Sequence, residues 1–398
     1  MKPIHVSVTG CALADCVYPT IDFNGPVFRR YASRTPGDGG LVPGQLVFLE
    51  SLADFAGESP AAVQEALTAG QTMAARNVGG PAVVAAINAA QMLWNYPGKV
   101  RFYGACGDDD NASFIRSVLA GTPLDSTHYE IRSGITPATD VLSDPDYHDG
   151  KGERTFVNVI GAAGGYGPEA LRDEFFDADV LLFGATALLP KLHDGLTGLL
   201  KRGKEAGRIN MVATVFDFRN EQRDPVGCWP LGESEESYRY IDLLAVDWDE
   251  ARRLSGEEEL EKMIGFFRDR GTKSVVITHG AKDFYIWSAG SFFNAVPLQA
   301  LPVNAQVGKD MAEHPESKGD TTGCGDNFAG GLLGALVMQL SGGKVPGTLD
   351  LFDAAAWAAA SGGLACFTFG GTYREKAPGE KMAKLRRYRD LYRRQIGF

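Results

Sequence analysis

DTTGCGDNFAGGLLGALVMQL, residues 320–340, runs a polar, glycine-rich turn straight into an apolar helix. The start of a helix carries N–H groups without intrahelical partners and the positive end of the peptide dipoles. Gly323, Cys324 and Gly325 therefore make a turn whose backbone can wrap an anion at close range. Asp326 falls in the first helical turn beside it. A carboxylate there suits a proton acceptor working next to a phosphoryl group held by backbone donors. The plainer alternative is an acid that only complements the helix dipole. Two rival phosphate patterns fail letter by letter. The dinucleotide fingerprint G-x-G-x-x-G meets Phe328 at its sixth position; the P-loop pattern meets Val345 after Gly343-Lys344 and Met338 in place of its first glycine.

Outward from this turn the chain alternates strand and helix. Apolar runs near residues 5–9, 100–107, 179–184, 211–217, 242–247 and 274–280 predict strands. Helices are predicted from Ser59-Pro60 through Ala69, over 81–93 and 112–119, around Leu196, and over 327–340 and 351–365, with a basic helical tail after Pro378. Near-continuous apolar strands between helices imply a parallel sheet covered on both faces. Two stretches break the alternation. Residues 17–50 mix short β-prone pieces (YPTIDF, PVFRRYA, QLVFLE) with turns, and 136–160 reads as strand, polar turn, strand. They predict a small accessory sheet outside the main layer.

Composition narrows the function. The 398 residues are 44% hydrophobic and 22% charged, an ordinary globular balance. A formal net charge of -11 makes nonspecific binding to nucleic acid or to an anionic membrane a poor expectation. No stretch approaches a membrane-spanning length, and the N-terminal apolar run is too short for a signal peptide. The six cysteines (Cys11, Cys16, Cys106, Cys228, Cys324, Cys366) lack paired C-x-x-C spacing, which argues against structural zinc and for reduced thiols in a cytoplasmic protein.

The 320–328 run resembles the C-terminal signature D-T-x-G-A-G-D-x-F of the ribokinase-like (PfkB-type) carbohydrate kinases. Other segments follow that family's order: Gly10…Asp15, Asn77-Val78-Gly79-Gly80, Tyr103-Gly104-Ala105-Cys106-Gly107-Asp108-Asp109, Gly152-Glu153-Arg154, Asp247-Trp248-Asp249-Glu250 and Thr278-His279-Gly280. The resemblance covers roughly residues 5 to 371. It implies one domain over 1–398, a three-layer α/β/α sandwich with a mostly parallel central sheet and a small β-sheet lid at about 17–50 and 128–162. The implied activity is transfer of the γ-phosphoryl group of ATP to a hydroxyl of a sugar or sugar-like small molecule. Asp326 would be the base, and the N–H groups of Gly323, Cys324 and Gly325 would hold the transferring group. Asp15, Gly79, Gly80 and Arg154 would meet the substrate; Thr278, Gly280 and Thr321 the nucleotide. Asp247 and Glu250 would orient magnesium through water. The carbonyls of Asp320 and Thr322 are candidates for a monovalent cation such as potassium. Lid sheets in this family often pair between subunits, which makes a homodimer an expectation of the resemblance.

Several positions depart from the family pattern. Leu13 and Val84 stand where asparagines often contact a sugar, Cys324 replaces the usual alanine, and the interval from Gly10 to Gly79 is about twice the expected length. A polar stretch, GKDMAEHPESKG, precedes the motif in place of an apolar strand. The first two departures leave a nucleoside kinase of the same family open as the alternative. A noncatalytic sugar- or nucleotide-binding regulator is the alternative from another class, although such a protein has no need of Asp326.

Overall fold

A computed structural model of the protein describes residues 1–35, 37–150, 152–319 and 321–398. Its larger sheet contains β1 (Val6–Gly10), β5 (Val100–Cys106), β6 (Asp125–Ile131), β9 (Val180–Gly184), β10 (Ile209–Ala213), β11 (Leu243–Asp247), β12 (Ser274–Thr278), β13 (Phe284–Ser288) and β14 (Val296–Leu301). The order is β14-β13-β12-β11-β10-β9-β1-β5-β6. All pairings are parallel except those of β13 with β12 and β14.

Side-chain alternation divides the core into two layers. Val6, Val8, Val180, Leu182 and Val276 face helices Pro81–Met92, Cys324–Ser341 and Leu351–Ala365. Leu181, Phe183, Val275 and Ile277 face helices Leu196–Glu205, Trp248–Ser255 and Leu260–Asp269. Strands buried on both faces need apolar residues at nearly every position, which is why the sequence displays them as continuous runs. The edge strand β6, DSTHYEI, lacks that composition and was not among the expected strands.

A second sheet of five strands contains β2 (Leu13–Tyr18), β3 (Leu46–Phe48), β4 (Ala75–Gly79), β7 (Ala138–Asp144) and β8 (Glu153–Val159), in the order β3-β8-β7-β2-β4. Between β2 and β4 the chain departs from the β-like expectation. PVFRRYA forms a helix, Pro26–Tyr31, with proline at its first turn, and QLVFLE yields only three strand residues before helix Leu49–Ala56 begins. Gly57 closes that helix in the left-handed conformation (φ 67°) and donates its N–H to Ala53 and Asp54 carbonyls. With helix Pro60–Thr68, these elements build a separate core of Ile21, Phe28, Tyr31, Leu52 and Val63 against Leu142, Val157 and Val159 of β7 and β8. The long interval before Gly79 is thus an apolar cover on the outer face of the second sheet. The polar stretch before the motif is also ordered, as helix Ala305–Glu313, where Asp310 takes Arg387 and Tyr388 from the C-terminal helix Glu380–Gln395.

Candidate active site

Between the carboxyl ends of the parallel strands and the inner face of the second sheet lies a cavity of about 330 Å³. Its position is the crevice where open α/β sheets hold ligands. The period of two along each strand decides which lid residues reach it. Leu13, Asp15 and Val17 of β2, Asn77 and Gly79 of β4, Thr139, Val141 and Ser143 of β7, and Arg154, Phe156 and Asn158 of β8 all face the cavity. Their neighbours in sequence face the other way: Asp140 accepts a hydrogen bond from Gln64 at 2.8 Å, and Val157 enters the outer core.

Gly79 and Gly80 are where the lid meets the main sheet, and their lack of a side chain is required. A Cβ on Gly79 would stand 2.1 Å from Asp15 Oδ2; one on Gly80, at φ +98°, would press on the Cys11 carbonyl and Ala12 Cα. The bare backbone lets the Asp15 carboxylate sit against β4, opposite Asn77 in register, and helix Pro81–Met92 begins at once behind it.

The opposite wall is the turn before helix Cys324–Ser341. Gly323 caps the helix at φ +75°, and a Cβ there would stand 2.5 Å from Gly371 Cα, so glycine is needed on both counts. Asn327 holds the turn from behind: its Nδ2 donates to the carbonyls of Gly323 and Gly371, both at 2.8 Å. Its Oδ1 accepts from the buried Lys381 Nζ at 2.9 Å. The Cys324 N–H donates to the Thr321 carbonyl at 3.3 Å, and Gly325 and Asp326 follow it in the first helical turn, ahead of the first N–H that can bond within the helix. Asp326 lines the cavity, and the protein packed around it takes its carboxyl largely out of water. That desolvation pushes its carboxyl up to about 7.

Glu250 shares the same cavity. Asp247 and Glu250 cap helix Trp248–Ser255 reciprocally: the Glu250 N–H donates to Asp247 Oδ1 at 2.8 Å and the Asp247 N–H to Glu250 Oε2 at 3.2 Å. Thr214 Oγ1 also donates to Glu250 Oε2, at 2.5 Å. Burial first, then the neighbouring Asp247 and Asp326 charges, raise the Glu250 carboxyl to about 8. A cation beside it would therefore relieve an unfavourable charge. Among the described residues no three His, Cys, Asp or Glu side chains gather as a direct chelate. This pair fits an ion that keeps its waters and takes its remaining ligands from phosphates, as magnesium does.

The remaining predicted residues separate into two places. Thr322 lines the cavity with Arg154, while Thr321 is exposed at the mouth of the turn. Thr278 and Gly280 do not line it; Thr278 pairs with Asp247 at the strand ends, and His279 stacks on Trp248 with ring centroids 4.8 Å apart. Asp320 lies outside the described residues. Val84 is buried under Gly371 and does not face the cavity, whereas Leu13 does. Asn77 and Asn158 were not among the predicted site residues; strand parity relative to Gly79 and Arg154 was the signal that could have found them. Phe216 and Phe218, also on the wall, follow β10 in a segment with no motif.

Residues 50–377 match the family model described as pfkB family carbohydrate kinase. The chain is 26% identical over 245 residues to aminoimidazole riboside kinase of Salmonella typhimurium, covering 59% of this chain and 67% of the relative. It is 23% identical over 283 residues to ribokinase of Haemophilus influenzae, covering 68% and 79%. Among solved structures, adenosine kinase from Schistosoma mansoni in complex with 2-fluoroadenosine superposes with a TM-score of 0.67 at 15% identity, over 94% of this chain and 98% of that one. Ribokinase from Thermotoga maritima gives 0.58 at 17%, over 97% and 99%. These neighbours share the ribokinase-like fold. The chain belongs to the PfkB family of carbohydrate kinases, and its reaction is phosphotransfer to a sugar or nucleoside.

Proposed function

We propose that the protein transfers the γ-phosphoryl group of ATP to a hydroxyl of a ribonucleoside. The observation that carries this reading is the two-sided cavity. One cross-strand row of the second sheet is polar, with Asn77, Asp15, Thr139 and Asn158; the next row and the facing wall are largely apolar, with Val17, Val141, Phe156, Leu46, Val215, Phe216 and Phe218. A free sugar presents hydroxyls on every side and gains little from such a wall, whereas a flat heterocycle packs well against aromatic and branched side chains. Two of the similar proteins, an aminoimidazole riboside kinase and an adenosine kinase, act on nucleosides by name, which favours the same reading.

In this reading Asp15 and Asn77 fix the ribose while Gly79 and Gly80 let it approach the backbone. The acceptor hydroxyl donates its proton to Asp326 as its oxygen attacks phosphorus. A base with a carboxyl near neutrality is well matched to that task. The helix-start N–H groups of Gly325 and Asp326 meet the charge on the transferring group, and Asn327 keeps the turn from relaxing. Thr278, Gly280 and Thr321 lie along the ATP, and Arg154 closes on the substrate from the lid. Asp247 and Glu250 would hold magnesium, which would neutralise phosphate charge when bound. Potassium at the carbonyls of Asp320 and Thr322, and a cytoplasmic setting, belong to this reading by resemblance.

The whole chain acts as one kinase domain, with the second sheet as lid. A homodimer through that lid would have to use its edge strands, because the chain's own helices cover the outer face. The test is coupled measurement of ATP consumption with purine nucleosides, aminoimidazole riboside, ribose, fructose and hexose phosphates. A nucleoside should exceed the best free sugar at least tenfold in kcat/KM. Preference for fructose, ribose or a sugar phosphate would overturn the acceptor assignment.

A further inference from the structure

The anion-binding turn carries a thiol in contact with a second thiol. Cys324 Sγ and Cys366 Sγ are 3.6 Å apart, joining residues 42 positions apart in sequence. Cys324 is the first residue of helix Cys324–Ser341 and lies between Gly323 and Gly325; Cys366 follows the last residue of helix Leu351–Ala365. Both are partly exposed, whereas Cys11, Cys16 and Cys106 are buried. We propose that Cys324 and Cys366 are a reversible oxidation site, and that a disulfide between them switches off phosphotransfer by pulling the anion-binding turn out of shape. The regulatory half of this proposal rests on the functional reading above; the chemical half does not.

Chemistry favours Cys366 as the thiol that reacts first. The Cys324 thiol hydrogen-bonds it, and the Lys318 charge adds to that, so its thiol is held down at about 7. Cys11 and Cys16 are pushed up to about 12 by burial. Thiolate character and access together govern oxidation. With a peroxide, the Cys366 thiolate attacks one oxygen and breaks the O–O bond, giving a sulfenic acid and hydroxide, which leaves as water. The Cys324 thiol then attacks that sulfur, the S–O bond breaks, and the S–S bond forms with release of a second water. Two thiols lose two electrons and one hydrogen peroxide gains them.

Packing determines what the new bond would move. Disulfide sulfurs stand about 2.05 Å apart, so the pair must close by about 1.5 Å. The two helices cannot approach as rigid bodies. Even a Cβ at Gly362 would come within 3.0 Å of the Cys324 carbonyl, and one at Gly331 would reach Ala358 Cα at 2.7 Å. Cys366 is tied on its own side, because its carbonyl accepts the Gly319 N–H at 2.8 Å. The strain therefore falls on Cys324 and the turn before it, whose N–H groups must hold a narrow geometry to stabilise a phosphoryl group.

The experiment treats the reduced full-length protein with hydrogen peroxide, then follows phosphotransfer and maps peptides by mass without reduction. Expected are a Cys324–Cys366 cross-linked peptide two hydrogens lighter than the two thiol peptides together, at least a tenfold loss of activity in step with it, and recovery with dithiothreitol. Cys366→Ser should keep the reduced activity and resist peroxide. Cys366→Ala serves if the serine variant folds poorly, and Cys324→Ala should resist peroxide relative to its own untreated sample. Full activity in the cross-linked protein, absence of the cross-link, or equal and reversible loss in the Cys366 variants would overturn the proposal. Reduced protein inert toward every acceptor would instead overturn the functional reading, and the peptide map would still decide whether the thiols pair.

Discussion

Replacing Asp326 by asparagine should move activity and stability in opposite directions. The carboxyl is raised from its ordinary 3.8 to about 7 by burial, so the folded protein binds a proton there more tightly than the unfolded chain does. The associated stability is fully present below about pH 4 and is lost as pH rises through about 7. At about 1.36 kcal/mol per pH unit this is at most about 4 kcal/mol. Water reaching the carboxylate through the cavity reduces it to about 1–2 kcal/mol. Asp326→Asn, neutral throughout, should therefore match the wild type in thermal unfolding near pH 4 and exceed it by a widening margin up to pH 8, both without ligand. Turnover at pH 8 should fall about 10²- to 10⁴-fold, the usual contribution of a general base, with the Kd for ATP nearly unchanged. In the wild type, kcat/KM should rise with pH through about 7. A variant within tenfold of wild-type turnover, or one less stable at pH 8 than at pH 4 relative to wild type, would refute the reasoning.

Gly325→Ala and Gly323→Ala separate anion binding from folding. A Cβ at Gly325 meets nothing within 4 Å, so that variant should melt at or above the wild-type temperature while kcat/KM for ATP falls at least tenfold, read by calorimetry and steady-state kinetics. Gly323→Ala collides with Gly371 and needs a left-handed conformation, so it should lose both activity and at least about 1 kcal/mol of stability. Leu52→Ala opens a cavity in the cover of the second sheet, where Leu52 is fully buried, and should cost about 2–5 kcal/mol in denaturant unfolding if that cover is integral to the fold.

The main sheet was legible because burial on both faces leaves no room for polar interruption, and the glycine-rich turn because its backbone demands specific letters. The cover was not. QLVFLE carries a strand pattern for only three residues, and its continuation into a helix is signalled by Gly57 in the left-handed cap, a position that reads equally well as a loop. PVFRRYA is too short for helical periodicity to stand out from its β-prone letters. Asn158 and Lys381 were missed for another reason. Each matters through a contact between segments distant in sequence, as when Lys381 reaches Asn327 across 54 positions. Val84 shows the reverse case: a motif position can be vacated without consequence for the pocket when its side chain packs beneath the backbone.

The alternation along the second sheet has a consequence for how such an enzyme changes over generations. The second-sheet side chains that line the cavity alternate along their strands with residues packed on the other face, such as Asp140, Leu142, Val157 and Val159. Exchanges at Val141, Ser143, Phe156 or Asn158 can therefore be sampled one at a time without disturbing the cover or the chemical step. On the proposed function, new acceptor preferences lie within reach of single codon changes here, while the turn before helix Cys324–Ser341, held by Asn327 and packed on Gly371, stays fixed.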